Sequence, residues 1–166
     1  MIEIKKSTCA DSRSCDYTKV SKEDLYFATK SHISDVRNCL DFFRESLLLS
    51  GKEHDYSKID NLDLFHSEFK KGFQQNSFLK LHYSEERHHL LAENGVRDDV
   101  TLIDVLEFIA DNVAAGKARS GEVWPMQLSS EVLQKAFNNT VDLLKRNTIQ
   151  VGGASKIQKD PDVCSH

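Results

Sequence analysis

Residues 21–51, SKEDLYFATKSHISDVRNCLDFFRESLLLSG, decide the fold class. Ile33, Val36, Leu40, Phe43 and Leu47 recur at gaps of three and four, the period of one face of an α-helix. Ser21 followed by Asp24 offers an approximate capping box, and Gly51 a stop, so the stretch reads as one long amphipathic helix with its stripe turned inward. Downstream, a second helix begins near Asp60 or Asn61 with Leu62, Phe65, Phe69 and Phe73 as its stripe. A third is expected over residues 78–93, ending at Asn94-Gly95. Thr101 or Asp99 can cap a fourth, running through Leu102, Leu106, Ile109 and Val113 towards Gly121. Ser129 or Ser130 opens a fifth with Leu133, Phe137 and Leu144 inward. Strand-like alternation is not visible and only two prolines interrupt the chain, which predicts an all-α fold, a compact helical bundle over residues 21–146. Residues 1–20 read as a polar N-terminal segment. Residues 147–166, with Gly152-Gly153 and Pro161, read as a flexible tail.

The 166 residues are 39% hydrophobic, enough for one domain core. With 22 basic and 26 acidic residues, the net charge of −4 supplies no global basic field, so nucleic acid is not an expected partner. Cys9, Cys15, Cys39 and Cys164 form no C-x-x-C pair, which points to neither a zinc knuckle nor a disulfide framework and fits a reducing cytosol. The first 20 residues are polar and charged, unlike a signal peptide. No apolar run approaches the roughly 20 residues that span a bilayer, so a soluble cytoplasmic protein with no membrane partner is expected. A homo-oligomer is left open.

Histidine placement carries the chemistry. Six of the seven histidines lie between His32 and His89, and imidazole with carboxylate is the donor set that divalent metals select. His54-Asp55 are adjacent, so both reach one ion only where the backbone turns or the ion sits close to the helix axis. The ordinary alternative is a capping Asp beside a surface His. Lys58 lies about one turn on and can place an ammonium where a substrate phosphate collects, or it is a solvated lysine. His32 borders the stripe of the first helix and can face inward, as a metal ligand or as a boundary histidine. In a continuous helix His82 and His89 share a side, and His88 points elsewhere, so either of the later pair can extend the site. His66 reads as helix surface. On the fourth helix Asp104, Glu107, Asp111, Ala114, Ala115 and Ala118 form the face opposite the apolar stripe. A wet acidic side is the bland reading. The small residues there instead imply packing, and a buried carboxylate stays ionised only beside a cation, which favours Asp111 as a ligand, with Asp104 as a substitute ligand or a supporting group.

The ordered set His32, His54-Asp55, His82, His88-His89 and Asp111, with the segments HDYSK and IADNVAAG, resembles the HD-domain superfamily of metal-dependent phosphohydrolases across residues 21–146. It is most similar to HD-like proteins, many carried by phages, with an H...HDxSK...H...HH...AD order. That resemblance implies the all-helical HD bundle. It also implies a primary metal held by His32, His54, Asp55 and Asp111 and extended by His82 with His88 or His89. The Gly-Tyr-Pro hallmark of cyclic-dinucleotide phosphodiesterases does not follow the paired histidines here, so that specificity is not carried over.

The function expected is hydrolysis of a phosphoester, with a small nucleotide as the preferred substrate. One or two divalent ions (Mn, Fe, Co, Ni, Zn or Mg) would acidify a water and neutralise charge at phosphorus. Asp55, Lys58 and Asp111 are the expected catalytic residues, and Lys58 with Arg87 is expected to steady the substrate's charge. Asp111 or Asp104 can act as general base. The alternative is a non-catalytic metal- or nucleotide-binding protein of the same fold. For a phage-encoded protein the compartment would be the host bacterium's cytoplasm. Trp124 in GEVWPM is open as a core plug or a lid.

Overall fold

The computed structural model describes residues 1–7, 9, 15–92 and 95–152. The order of elements is β1 (Ile2–Lys5), α1 (Lys22–Glu53), α2 (Tyr56–Asp60), α3 (Leu62–Lys70), α4 (Ser77–Glu85), β2 (Leu91–Ala92), β3 (Gly95–Val96), α5 (Leu102–Ser120), α6 (Ser130–Arg146) and β4 (Thr148–Val151). The chain is mostly helical, as its periodicity predicts, and its strands are short. It divides into two compact units, one of residues 1–42 and 145–166, the other of residues 43–144.

In the first unit β1 pairs in parallel with β4, Ile2 opposite Thr148 and Lys5 opposite Val151. The polar first segment therefore starts with a strand, and the expected tail begins with its partner. From residue 153 onward, including Pro161 and Cys164, that expected tail lies outside the described residues. The N-terminal part of α1 is set by a capping box. The Asp24 amide donates to Ser21 Oγ at 3.0 Å, and the Asp24 carboxylate accepts from the Ser21 amide at 3.2 Å. Along this part its stripe is not inward: Ile33 is 45% and Leu40 60% exposed, while Ser31, Asp35 and Cys39 to one side of it are partly covered.

The second unit holds the core, in which Leu90, Val100, Val105, Val132 and Ala136 pack together from the segment after α4, from α5 and from α6. Thr101 caps α5 through a reciprocal capping box with Asp104, and Gly121 ends the helix in a left-handed conformation at φ 77°. On α5 the acidic face is the covered one, as its small residues imply, while most of the apolar stripe is exposed. Asp104, Val105 and Gly116 are buried, with Glu107 and Asp111 partly covered beside them, and Leu106, Ile109 and Val113 are exposed. On α6 the buried residues are Val132, Ala136 and Thr140, while Leu133 and Phe137 face outward.

The third expected helix is shorter than its sequence suggests. α4 ends at Glu85 because Glu86 adopts an extended backbone (φ −81°, ψ 122°), and Arg87, His88 and His89 follow in a turn closed by the His89 amide on the Glu86 carbonyl. β2 and β3 then pair antiparallel over residues 91–92 and 95–96; Asn94 of the expected stop lies outside the described residues. None of the helices among the described residues is long and apolar enough to cross a membrane.

Candidate metal centre

The centre belongs wholly to the second unit, and it begins where α1 ends. The chain turns sharply between His54 and Asp55, because Asp55 is in the left-handed region (φ 60°, ψ 15°) as the residue preceding α2. Such a backbone is tolerated by Asp better than by most residues, yet it still needs support. Glu86 provides it: its carboxylate accepts the Asp55 amide at 3.1 Å and the Ser57 amide at 2.9 Å. With the helix broken there, adjacent His54 and Asp55 side chains face one point.

Three imidazoles turn Nε2 towards Asp55. His54 Nε2 lies 3.6 Å from Oδ2, His82 Nε2 3.6 Å from Oδ1, and His88 Nε2 3.8 Å from Oδ1. Asp111 Oδ1 is 3.6 Å from His54 Nε2. These separations are too long for hydrogen bonds. They approach the spacing of two ligands on one ion, since bonds of about 2.0–2.2 Å at a tetrahedral centre put ligand atoms roughly 3.3–3.6 Å apart. The other ring nitrogens are engaged elsewhere. His54 Nδ1 is 2.9 Å and His88 Nδ1 3.0 Å from Glu107 Oε1, and His82 Nδ1 is 2.8 Å from Ser57 Oγ. Glu107 Oε2 accepts a 2.5 Å hydrogen bond from Ser50 Oγ.

Among the described residues, two buried side-chain atoms lack hydrogen-bond partners, Asp55 Oδ1 and His89 Nε2. A buried carboxylate oxygen facing imidazole nitrogens without a proton between them is an uncompensated cost, and a cation is the species that removes it. Among the described residues, His54, Asp55 and His88 form one group able to hold a metal ion, and Asp55, His82 and Glu86 another. His82, His88 and His89 form a third, and Glu86, His88 and Glu107 a fourth. The donor set therefore fits a divalent ion: imidazoles whose far nitrogens are oriented by Glu107 or Ser57, around the Asp55 carboxylate.

Electrostatics agree with the geometry. Burial pushes the Asp55 carboxyl up, but the 2.5 Å hydrogen bond and charge of Lys58, with His54 and His82 nearby, outweigh it and leave Asp55 below its ordinary value. Glu107 is likewise raised by burial and lowered more strongly by hydrogen bonds from His88, Ser50 and His54, to about 2. Burial, then the Lys58 charge, lowers His82, and burial with the neighbouring His88 and His82 lowers His89 to about 4. His88 is also lowered by burial, but its contact with Glu107 carries it above its ordinary value.

Of the residues anticipated from sequence, His54, Asp55, Lys58, His82, His88 and Asp111 meet in this centre. His32 does not belong to this unit; it lies exposed on the N-terminal part of α1. Arg87, expected to face substrate phosphate, instead grips Asp104 with Nε and Nη2, both at 2.8 Å, and reaches Asp99 with Nη1 at 2.6 Å. Asp104 is thereby a buried structural partner rather than a ligand or base. His66 is exposed on α3, and Trp124 is 54% exposed, so it plugs no core. Sequence reading missed Glu107, Glu86, Ser57 and Ser50 as parts of the centre. For Glu107 a signal existed, since it lies one turn before Asp111 on the same face. For Glu86 none did.

No known protein family, curated protein or solved structure matches this chain.

Proposed function

We propose that the second unit is a metal-dependent phosphohydrolase centre of the HD-domain type, acting on a phosphoester and by preference on a small nucleotide. The observation that carries this reading is the convergence of three imidazole Nε2 atoms on Asp55, whose Oδ1 is buried without a hydrogen bond. In this reading His54, Asp55, His82, His88 and Asp111 hold one or two divalent ions. Bound there, such an ion would acidify a water and neutralise charge developing on the phosphoryl group. The chain's own residues do the rest. Lys58, on Asp55 Oδ2 in this structure, turns its ammonium to a phosphate oxygen when substrate arrives. Asp111, whose side chain is one-third exposed, sits at the open side of the centre, where it can accept a proton from an attacking water.

The test is hydrolysis of a panel of nucleotides and generic phosphoesters with Mn²⁺, Mg²⁺, Co²⁺ or Fe²⁺, comparing wild type with Asp55→Asn. Asparagine keeps the left-handed backbone accessible and removes only the charge. Metal-dependent product release that disappears in the variant is the expected result. Inactivity of both proteins, with metal raising the melting temperature of wild type alone, would replace the enzyme by a metal-binding protein.

A further inference from the structure

The geometry points to Glu107 as a positioning carboxylate that sets the tautomers of His54 and His88. This inference rests on the metal-centre reading and assigns one of its working parts to a residue that touches no ligand atom directed at Asp55.

Neutral imidazole carries one proton, on Nδ1 or on Nε2, and its hydrogen-bond partners decide which. In this centre each ring is offered two acidic acceptors. For His54, Nδ1 is 2.9 Å from Glu107 Oε1 and Nε2 is 3.6 Å from Asp55 Oδ2. For His88, Nδ1 is 3.0 Å from the same Glu107 oxygen and Nε2 is 3.8 Å from Asp55 Oδ1. Only the Glu107 contacts are within hydrogen-bond distance, so in the neutral rings both protons reside on Nδ1 and both Nε2 lone pairs are aimed at Asp55. One carboxylate oxygen thus fixes two ligands from separate segments, the end of α1 and the turn after α4. Its own orientation is held by Ser50, which donates to Oε2, and its side chain is only 9% exposed. His82 has the neutral Ser57 hydroxyl in the equivalent place, so among the three imidazoles two receive the anionic partner that raises ligand basicity. A buried carboxylate between two rings, ionised and triply hydrogen-bonded, has no evident packing role that glutamine would not fill.

Two measurements test this. Co²⁺ titration is compared for wild type, Glu107→Gln and Asp55→Asn, and long-range ¹H–¹⁵N spectra of the metal-free proteins report the ring tautomers. Glu107→Gln is expected to weaken Co²⁺ binding roughly 10- to 100-fold and to shift His54 and His88 away from pure Nδ1–H; Asp55→Asn is expected to abolish binding. Wild-type Co²⁺ affinity and unchanged tautomers in Glu107→Gln, with binding lost in Asp55→Asn, would overturn the role of Glu107 and leave the centre standing. No binding by wild type, or equal binding by Asp55→Asn, would overturn the centre and this inference together. Should Glu107→Gln fail to fold, Ser50→Ala releases only Oε2: weaker Co²⁺ binding supports the role, and unchanged binding counts against it.

Discussion

Asp55 combines a left-handed backbone with a partly buried carboxylate, and each is unfavourable alone. The backbone costs on the order of 1 kcal/mol, and an unpaired carboxylate oxygen costs more. Both conditions are held by neighbours: Glu86 takes the amides at the turn, and Lys58 takes Oδ2. Arg87, one residue from Glu86, shows how differently adjacent charges are used. Its guanidinium is half in solvent but grips Asp104, which is only 3% exposed and also accepts from the Thr101 amide at 2.7 Å. Arg87→Met leaves that buried carboxylate without its cation. Discounted for the solvent on the arginine side, the loss is about 2 kcal/mol of stability, with metal affinity and substrate KM unchanged. Urea unfolding read beside a metal titration checks it. A raised KM for a phosphorylated substrate at undiminished stability would restore the phosphate-facing role that the sequence suggested for Arg87.

At the level of elements, helical period was legible and the inward face was not. α5 shows why. Of its apolar stripe Leu102 packs against the core, but Leu106, Ile109 and Val113 are exposed where local rules would turn them inward; the acidic face, whose small residues pointed to packing, is covered because each carboxylate there has a remote partner. Asp104 meets Arg87, and Glu107 meets His54, His88 and Ser50, partners 17 to 57 positions away in the chain and so outside any local window. The HDYSK segment could be picked out from the histidine cluster and the family order that it resembles, and Asp111 from the small residues sharing its face. The break at Glu86, which swings His88 towards Asp55, had no local signal, since residues 78–93 keep a helix-compatible composition. The C-terminal half of α5 offers a direct test of its packing. Gly116 is buried, and a Cβ there would lie 2.6 Å from the Glu122 carbonyl oxygen, a backbone atom that cannot swing away. Helix propensity alone favours Gly116→Ala by about 1 kcal/mol. The clash should outweigh it, giving a net loss of about 1–3 kcal/mol, measured by chemical denaturation. A variant more stable than wild type would mean that the chain after Gly121 does not return against this helix.

For the molecule as a whole, the histidine-rich centre makes stability depend on proton concentration in a range where ordinary carboxylates are silent. His89 is lowered from 6.5 to about 4 in the folded protein. Between those values the unfolded chain binds a proton that the folded chain refuses, so this contribution is complete above pH 6.5 and is lost as pH falls towards 4. His82, also lowered, acts in the same direction, whereas His88, raised by Glu107, favours the folded state at low pH and is lost as pH rises through its folded value. Glu107, lowered from 4.5 to about 2, adds a second loss that starts only below pH 4.5. Metal-free protein should therefore begin to lose melting temperature near pH 6.5, in two stages. His89→Phe should flatten the first stage and leave the second, because it removes the buried neutral imidazole without touching Glu107. Thermal melts from pH 7.5 to 3 for both proteins make the comparison, with the slopes read rather than the absolute temperatures. Parallel curves between pH 6.5 and 4 would show that His89 is not held neutral by its burial.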